Sequence, residues 1–359
     1  MIEPNEHLLA IHRDAEPMDD RGKYVRLDRN ERVVPFPQAV FSGMLATLGP
    51  ETFCAYPDPA PLRRRVAEQL RLPVESVYLT PGSDGAIRML FHTYVRAGDW
   101  VLLPDPTYAM YGIYARIFRA SVESVPYDTD LRLDLDRVRG LLKRGPRVFA
   151  LPNPNQPTGT VVSLETLCDL ARGARAAGAL MIIDEAYYPF YPETAAGMLQ
   201  DLDNVVITRT FSKVAGLAGV RIGYLAANPG IVRHVQQVRG AHEVNAVAVQ
   251  LGSYVLDHPE ITAQALAEVE EGRAVLRGVA QELGLGCPPC PTNFQILRFP
   301  EGTDTKAVVH ELKQRGYLVK GGFTTAAMRN WIRVTLGPRP VMEGFATALR
   351  GVARQGAVR

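Results

Sequence analysis

Short apolar segments that alternate with amphipathic stretches from Val77 onward constrain the fold of this chain most strongly. Each segment is four to six residues long and nearly continuous, which is typical of strands buried on both faces of a sheet. Helical patterns lie between most of them, so we predict an α/β domain with a mainly parallel sheet and functional residues at the carboxyl ends of its strands. The predicted strands are Val77–Thr80, Trp100–Leu103, Ala120–Val125, Arg147–Leu151, Leu180–Ile183, Val205–Thr208 and Ile222–Ala226.

The character of the sequence changes after about Asn228, where long helical stretches and fewer strands indicate a smaller α+β domain. Residues 1–23 are charged and irregular, which predicts an arm. A helix is predicted from Gln38 to Leu48, with an apolar face that includes Phe41 and Leu45. The predicted organisation is an N-terminal arm and part of the small domain over 1–45, a large domain over 46–245 and a C-terminal small domain over 246–359.

Composition limits the classes of partner and compartment. The 359 residues are 47% hydrophobic, which is enough for a large core, and the formal net charge of +2 favours neither nucleic acid nor an anionic membrane as a partner. We find no apolar run long enough to span a bilayer and no signal peptide, and the few cysteines form no disulfide framework, so a reduced, cytoplasmic protein is expected. Cys287 and Cys290 have metal-ligand spacing, but no second ligand pair matches them, so no metal site is predicted.

The segment from Thr208 to Tyr224 carries the strongest chemical signal. Lys213 follows a buried strand, where desolvation lowers the pKa of an amine and favours its attack on a carbonyl to form a Schiff base. Ser212 and Arg221 offer the donors that a phosphate requires. These features together predict pyridoxal 5′-phosphate (PLP), a phosphorylated aldehyde. A surface lysine and arginine beside a glycine-rich loop is the alternative that this segment alone leaves open.

Two further motifs follow predicted strands. Ser83 and Asp84 open a helix whose backbone N–H groups would bind phosphate; ordinary N-capping by Ser83 or Asp84 is the alternative, and it is compatible with phosphate binding. Tyr108 follows an Asp-Pro-Thr turn, from which it could stack on a flat ring or join the core.

Amides and a carboxylate follow the next two strands. Asn155 and Gln156 are held between prolines, an arrangement that suits fixed hydrogen bonds to a ligand. Asp184 ends a buried strand, where a pyridinium N–H would be a suitable partner, and Tyr187 could donate to the ring oxygen. The alternative is that Asp184 caps the next helix.

In combination, the motifs of the chain resemble the fold-type I PLP aminotransferases of class I/II, most closely the histidinol-phosphate aminotransferase branch. The resemblance runs from about Val25 to Leu349 and implies a large domain with a mainly parallel seven-stranded sheet, flanked by helices, and a smaller α+β domain. The motifs that carry it are YPDPAPLRRRVAE, TPGSDGAI, PDPTYAMY, NPNQPTGT, IDEAYYPF, RTFSKVAGLAGVRIGY, TNF near residue 293 and WIRVTLG.

The resemblance implies a role for each candidate residue. Lys213 would hold the cofactor and move the proton, Asp184 would pair with the pyridine nitrogen, and Tyr187 with the ring hydroxyl. The remaining implied assignments are Tyr108 stacked on the ring, Asn155 or Gln156 at the ring hydroxyl, Ser83, Asp84, Ser212 and Arg221 around the phosphate, Tyr56 reaching the phosphate of the other subunit of a homodimer, and Arg333 gripping the substrate α-carboxylate, with Asn30 also at the substrate.

Three positions depart from the pattern of the branch. Gln156 stands where the family usually has Asn, and Lys320 stands where the branch usually has an Arg that helps to hold the substrate phosphate. His242 and Glu243 occupy a loop that often carries Pro and an aromatic residue. We interpret Lys320 and His242 as residues that set substrate choice, and a substrate other than histidinol phosphate itself is expected; a solvent-facing His-Glu pair is the alternative.

The leading interpretation is an aminotransferase that moves an amino group from an amino acid, with glutamate as the expected donor, to a keto acid or to a small ketone or aldehyde with or without a phosphate group. The alternative on the same scaffold is a decarboxylase of an O-phospho amino acid, which would release carbon dioxide. A catalytically silent ligand-binding homologue is disfavoured because the catalytic set is complete. A nicotinamide dehydrogenase is excluded because Gly216, Gly219 and Gly223 have the wrong spacing.

Overall fold

The computed structural model describes residues 2–11 and 21–354. The predicted arm over 1–23 falls partly on Met1 and residues 12–20, which lie outside the described residues; its described part contains a short helix. In chain order the strands are β1 (Val25–Leu27), β2 (Val77–Thr80), β3 (Trp100–Asp105), β4 (Ser121–Pro126), β5 (Val148–Pro152), β6 (Leu180–Asp184), β7 (Val205–Thr210), β8 (Gly223–Ala227), β9 (Phe294–Arg298), β10 (Tyr317–Val319) and β11 (Trp331–Thr335).

Helices connect most of these strands, as the alternating pattern predicts. They are α1 (Glu6–Leu9), α2 (Gln38–Ala46), α3 (Glu51–Cys54), α4 (Ala60–Leu70), α5 (Gly82–Tyr94), α6 (Ala109–Ile117), α7 (Leu135–Leu142), α8 (Leu164–Ala176), α9 (Pro229–Gln236), α10 (Ala246–Asp257), α11 (Pro259–Glu282), α12 (Thr305–Gln314) and α13 (Arg339–Arg354). Within the described residues, none of these helices combines the length and the hydrophobicity needed to cross a bilayer.

Seven strands form one sheet in the order β2-β8-β7-β6-β5-β3-β4. All run parallel except β8, which is antiparallel to both neighbours. The predicted mainly parallel α/β sheet is therefore confirmed. Several strands extend one or two residues beyond the predicted carboxyl end, because polar residues such as Asp105, Asp184 and Thr210 still pair in the ladder.

The sheet is buried by helices on both faces. Successive side chains of a strand point to opposite faces, so Ile182 packs in the cluster with α5, α6 and α9, whereas Ile183 packs in the cluster with α7 and α8. This arrangement explains why the strand sequences are continuously apolar rather than alternating.

A second core lies among the later elements. Strands β9 and β11 form an antiparallel pair, and β1 pairs in parallel with β10, so the first strand of the chain joins elements near its end. Helices α11, α12 and α13 cover these strands. The mixture of helices and strands expected after Asn228 is present, and the predicted domain boundaries at 45 and 245 stay predictions.

The apolar face predicted for α2 is not buried within the described part of the chain. Met44 is buried, but Phe41 and Leu45 are 46% and 48% exposed. The nearby Phe53 and Tyr56 are 70% and 82% exposed. This stretch therefore presents large apolar side chains to the outside of the chain.

Strand β8 brings three backbone segments into direct contact at its first residue. A Cβ atom on Gly223 would lie 2.6 Å from the carbonyl oxygen of Arg209 and 2.7 Å from the amide nitrogen of Ser83. Only a glycine fits here, so the end of β7 and the first turn of α5 are held close together by the backbone.

We predict that Gly223→Ala destabilises the protein by about 1–3 kcal/mol, because backbone atoms on either side leave no room for a methyl group. The matched control is Gly173→Ala, on the exposed face of α8, where a Cβ would meet only a Leu142 methyl group at 3.8 Å. That change should stabilise the cofactor-free protein by about 0.5–1 kcal/mol. Denaturant unfolding of both variants tests the contrast, and a shift of the same sign and size in both would contradict it.

Candidate active site

The carboxyl ends of β2, β3, β5, β6 and β7 surround a cavity of about 280 Å³. Parallel strands end at the same edge of a sheet, so residues far apart in the sequence meet here. The segment after β1 contributes Arg29 and Glu31 to the same cavity. The candidate residues that line it are Ser83, Asp84, Tyr108, Gln156, Asp184, Tyr187, Ser212, Lys213 and Arg221.

Lys213 follows β7 by three residues and is half-buried in the cavity. Its Nζ donates a hydrogen bond of 3.1 Å to the carbonyl oxygen of Arg29 and lies 5.9 Å from the centre of the Tyr187 ring. Desolvation, followed by the positive charge of Arg333, lowers the pKa of Lys213 to about 7, against the opposing effect of Glu31. A large fraction of the amine is therefore neutral, and nucleophilic, near neutral pH.

Asp184 is the last residue of β6 and is buried. The hydroxyl of Tyr111 donates to its Oδ2 at 3.1 Å, and the backbone N–H of Ala186 donates to its Oδ1 at 3.2 Å. Burial raises the pKa of Asp184 to about 6, and a cation placed in the cavity would lower it again. The alternative role as a cap is not supported, because Thr194 caps the next helical turn, Ala195–Gln200.

The first turn of α5 faces the cavity next to a guanidinium group. Arg221 donates from Nη1 to the Ser212 hydroxyl at 3.2 Å. A Cβ on Gly82, which has φ +73°, would lie 2.8 Å from the Arg221 Nη2, so the missing side chain lets the arginine approach the helix start. We call Ser83, Ser212, Arg221 and the first turn of α5 the anion cradle.

The N-cap alternative for Ser83 and Asp84 is wrong. Helix α5 begins at Gly82, and the N-cap residue Pro81 makes no side-chain hydrogen bond to it. The Asp84 carboxylate instead accepts hydrogen bonds from the hydroxyls of Tyr114 at 2.9 Å and Tyr108 at 3.4 Å. The N–H groups of the helix start are thus available to an anion.

Tyr187 is held from two sides. The Asn30 side-chain amide donates to its hydroxyl at 2.8 Å, and that hydroxyl donates to Gln156 Oε1 at 3.4 Å. The resemblance implies that Asn30 lies at the substrate, but Asn30 is fully buried, and its Oδ1 accepts a hydrogen bond of 3.2 Å from the hydroxyl of Thr335. The structure therefore places Asn30 behind Tyr187, where it orients the phenol.

The two candidate amides lie in the loop 153–159 after β5, which we call the Pro-Asn loop, and they have different surroundings. Asn155 is buried, and its amide nitrogen donates to the carbonyl oxygen of Pro106 and the hydroxyl of Thr158, both at 2.9 Å. Its oxygen accepts from the Thr107 hydroxyl at 2.8 Å. Asn155 fixes the loop, and Gln156 is the amide that lines the cavity.

Arg333 projects from β11 and is buried. Its Nη2 donates to the carbonyl oxygen of Asp28 at 2.7 Å, and its guanidinium carbon lies 5.4 Å from the centre of the Phe294 ring. Its Nε has no hydrogen-bond partner among the described residues. A buried guanidinium with an unused donor is suited to a carboxylate ligand.

Three further candidates do not line this cavity. Tyr56 and His242 stack on each other, with ring centroids 4.1 Å apart and planes 9° apart, and both are exposed. Lys320 is exposed, and its backbone pairs with that of Arg333 through bonds of 3.1 and 2.7 Å.

Sequence reasoning missed several residues of the site. Arg29, Glu31 and Thr210 line the cavity, and Tyr111 donates to Asp184. Tyr111 lies in the first turn of α6, three residues after the N-cap residue Tyr108, and this spacing would have pointed to it. Asn30 of the segment after β1 was named from the family resemblance, but the contribution of its neighbours Arg29 and Glu31 depends on tertiary packing and was not foreseen.

The chain matches the family model "Aminotransferase class I and II" over residues 41–349. It belongs to this family. Histidinol-phosphate aminotransferase 1 of Carboxydothermus hydrogenoformans is 33% identical over 316 residues, 87% of this chain and 88% of the relative. The corresponding enzyme of Symbiobacterium thermophilum is 34% identical over 339 residues, 92% and 91% of the two chains. The resemblance to the histidinol-phosphate aminotransferase branch is thus confirmed.

The fold is also that of a solved aminotransferase. Histidinol-phosphate aminotransferase from Sinorhizobium meliloti, solved in complex with pyridoxal-5′-phosphate, superposes with a TM-score of 0.89 at 24% identity, covering 99% of this chain and 98% of that one. The fold class, PLP transferase fold type I, is confirmed.

The residues of the cavity fit the cofactor of the family. An anion cradle, a buried carboxylate and an amine of lowered pKa match the phosphate, the ring nitrogen and the aldehyde of PLP. The chain is a PLP-dependent aminotransferase, and the comparisons give the decarboxylase alternative no support.

We predict that PLP attaches to Lys213 of the cofactor-free protein faster as pH rises through about 7, because only the neutral amine reacts. Glu31 stabilises the charged amine, so Glu31→Gln should lower the pKa of Lys213 and move the midpoint of the rate profile to lower pH. Borohydride trapping and mass spectrometry would measure the rate, with the exposed Glu301→Gln as control. A midpoint that moves upward in Glu31→Gln would contradict the assignment.

Proposed function

We propose that this aminotransferase takes the amino group of glutamate and passes it to a small phosphorylated ketone or a related keto acid. The observation that carries the proposal is the meeting of Lys213, Asp184 and the anion cradle in one cavity. When bound there, PLP supplies an electron-withdrawing ring that stabilises negative charge on the α-carbon of an amino acid.

Lys213 is the group that moves the proton in this proposal. A general base works best when its pKa lies near the working pH, and burial brings the pKa of Lys213 to about 7. The lysine is also held in the cavity by its hydrogen bond to the Arg29 carbonyl oxygen. Its position beside Tyr187 keeps the amine next to the phenol assigned to the ring hydroxyl.

Asp184 and the anion cradle hold the two ends of the cofactor. Asp184 keeps a proton on the ring nitrogen, and Tyr111 and the Ala186 N–H fix the orientation of its carboxylate. Ser212, Arg221 and the first turn of α5 bind the phosphate by hydrogen bonds and charge.

Tyr108, Gln156 and Arg333 complete the proposed set. Tyr108 lines the cavity and would cover the ring face, and Gln156 with Tyr187 would bind the ring hydroxyl. Arg333 would bind the substrate α-carboxylate, because burial leaves its guanidinium with an unused donor beside Lys213.

The proposal of a phosphorylated acceptor is supported by the names of the relatives and by Lys320. The relatives described above are named for histidinol phosphate, which supports a phosphorylated substrate. Lys320 keeps a positive charge where the branch usually has Arg, but an ammonium lacks the bidentate fork of a guanidinium. This substitution supports a phosphorylated substrate that differs from histidinol phosphate.

We propose that the active unit is a homodimer, in which the stacked pair Tyr56 and His242 serves the cavity of the partner. The exposed apolar side chains Phe41, Leu45 and Phe53, on α2 and α3, support a surface that a second copy covers. Sedimentation of the holoenzyme at micromolar concentration should show a dimer; a fully active monomer would disprove the proposal.

We also propose a cytoplasmic location. The cysteines Cys54, Cys168, Cys287 and Cys290 are free thiols, which supports a reducing compartment. Detection of the native protein in a secreted or periplasmic fraction would contradict this location.

We predict that the visible absorbance of the holoenzyme is lost when L-glutamate is added and returns when the acceptor follows. Asp184→Asn keeps the shape of the side chain but removes its charge, so the same half-reaction should slow by at least about a hundredfold. Stopped-flow absorbance measures both. A wild-type spectrum that glutamate leaves unchanged would point to another donor, and carbon dioxide release from phosphoserine would revive the decarboxylase alternative.

We predict that Lys320→Ala raises the KM for a phosphorylated substrate by about tenfold, while the KM for glutamate changes little, because only the former carries a group that needs this charge. Lys320→Arg is the matched control, which keeps the charge and restores the fork. Steady-state assays with glutamate and with histidinol phosphate, used as a phosphorylated test substrate rather than as the proposed physiological one, measure the contrast, and equal increases of both KM values would rule out the assignment.

A further inference from the structure

The loop from Cys290 to Gln295, which leads into β9, contacts several parts of the active site. The Phe294 ring lies edge-on against the Tyr187 ring, with centroids 5.3 Å apart, and under the guanidinium of Arg333 at 5.4 Å. The Asn293 side chain donates to the carbonyl oxygen of Asn30 at 2.9 Å. The loop therefore touches the groups that orient the phenol and the carboxylate-binding arginine. We call residues 290–295 the junction loop.

A single buried arginine holds the junction loop from behind. Arg273, in the middle of α11, is 2% exposed. Its Nη1 donates to the carbonyl oxygen of Cys290 at 2.6 Å and to Gln295 Oε1 at 3.1 Å, and its Nη2 donates to the carbonyl oxygen of Thr292 at 2.5 Å. One planar guanidinium thus binds both ends of the loop.

Burying the charge of Arg273 costs free energy, which a residue with only a packing role would not require. Among the described residues, the one carboxylate that pairs with Arg273 is that of Glu270, which is 66% exposed, and the remaining partners are neutral oxygens. Burying a charge against neutral acceptors is unfavourable unless its hydrogen bonds are numerous and well aligned. The fork shape of the guanidinium is what allows acceptors at both ends of the loop to be reached, and an ammonium could not span them.

On the side away from Arg273, the junction loop is in close contact with two other segments, so it cannot shift without moving its neighbours. A Cβ on Gly159 would lie 3.4 Å from the Phe294 ring, and it would overlap the Cys290 sulfur, so the Pro-Asn loop already packs against the junction loop. The N–H of Leu336, just after β11, donates to the Asn293 carbonyl oxygen at 2.8 Å. A shift of the junction loop would therefore be passed on to Phe294 and Asn293.

We propose that Arg273 is a positioning residue for substrate binding: through the junction loop it fixes Phe294 and Asn293, and so the directions of Arg333, Asn30 and Tyr187. In the part of the chain that the structure describes, Arg273 does not line the cavity, and it acts from the long helix α11. The inference rests on the proposed role of Arg333 in binding the α-carboxylate.

The decisive variant is Arg273→Lys, which keeps the charge but loses the fork. We expect the dissociation constant for glutamate, obtained from the concentration dependence of the half-reaction, to rise at least about tenfold, since one charged, buried contact is disrupted. The dissociation constant of maleate, an unreactive dicarboxylate, should rise in parallel by calorimetry. Arg277→Lys, an exposed arginine one turn further along α11, is the matched control and should change neither value.

A double-mutant cycle separates positioning from general stability. Asn293→Ala removes the bond to Asn30, so Arg273→Lys with Asn293→Ala should weaken glutamate binding much less than the product of the two single effects. Additive effects, or a lowered Tm with unchanged dissociation constants, would overturn the proposal. Were Arg273→Lys unable to fold, Gln295→Met, which removes one acceptor and keeps Arg273, would take its place in the cycle, where coupling to Asn293→Ala supports the positioning role and additivity refutes it.

The same measurements distinguish a failure of the proposed function from a failure of the positioning role of Arg273. If wild-type holoenzyme has no glutamate half-reaction, the donor is wrong, and maleate binding still tests Arg273 in the cycle. If the wild-type holoenzyme shows the glutamate half-reaction and Arg273→Lys leaves the dissociation constants of glutamate and maleate unchanged, the function stands and the positioning role falls.

Discussion

The carboxylate of Asp184 at the end of a strand buried on both faces is the constraint on which the site depends. Desolvation pushes its pKa up to about 6 and, by the same physics, pushes the pKa of Lys213 down to about 7. Burial thus shifts the pKa values of an acid and a base toward each other, although Asp184 with a pKa of about 6 stays mainly ionised at neutral pH. The hydrogen bonds from Tyr111 and the Ala186 N–H stabilise the charged carboxylate, which pairs with the ring nitrogen in the proposed function.

Much of the fold and the centre of the site could be predicted because both depend on patterns within short stretches of sequence. The strands β6 and β7 are continuously apolar, which follows from burial on two faces, and a polar residue directly after such a strand must lie at the edge of the sheet. Asp184 and Lys213 could therefore be assigned to one edge without knowledge of the structure. The same reasoning placed Ser83 at this edge, whereas Arg221, which lies just before the antiparallel strand β8, was proposed from the donor groups that a phosphate requires.

The remainder depends on contacts between distant segments. Asn30 and Arg333 are 303 positions apart, and nothing near either residue shows that β1 joins β10 beside β11. The choice between Asn155 and Gln156 depends on the path of one loop, which the hydrogen bonds to Pro106 and Thr107 decide. The exposure of Phe41 was also hidden, because an apolar helix face looks the same in a sequence whether its cover comes from the same chain or from another one.

The buried Nε of Arg333 has a consequence for the behaviour of the whole protein. A desolvated donor that no described protein group satisfies makes the folded state less stable than it would be with that bond formed. In the proposed role of Arg333, a substrate carboxylate would supply that bond in the folded state, and the unfolded chain has no such site. The resistance of the enzyme to heat and to proteases would then be coupled by mass action to the concentration of amino acids around it.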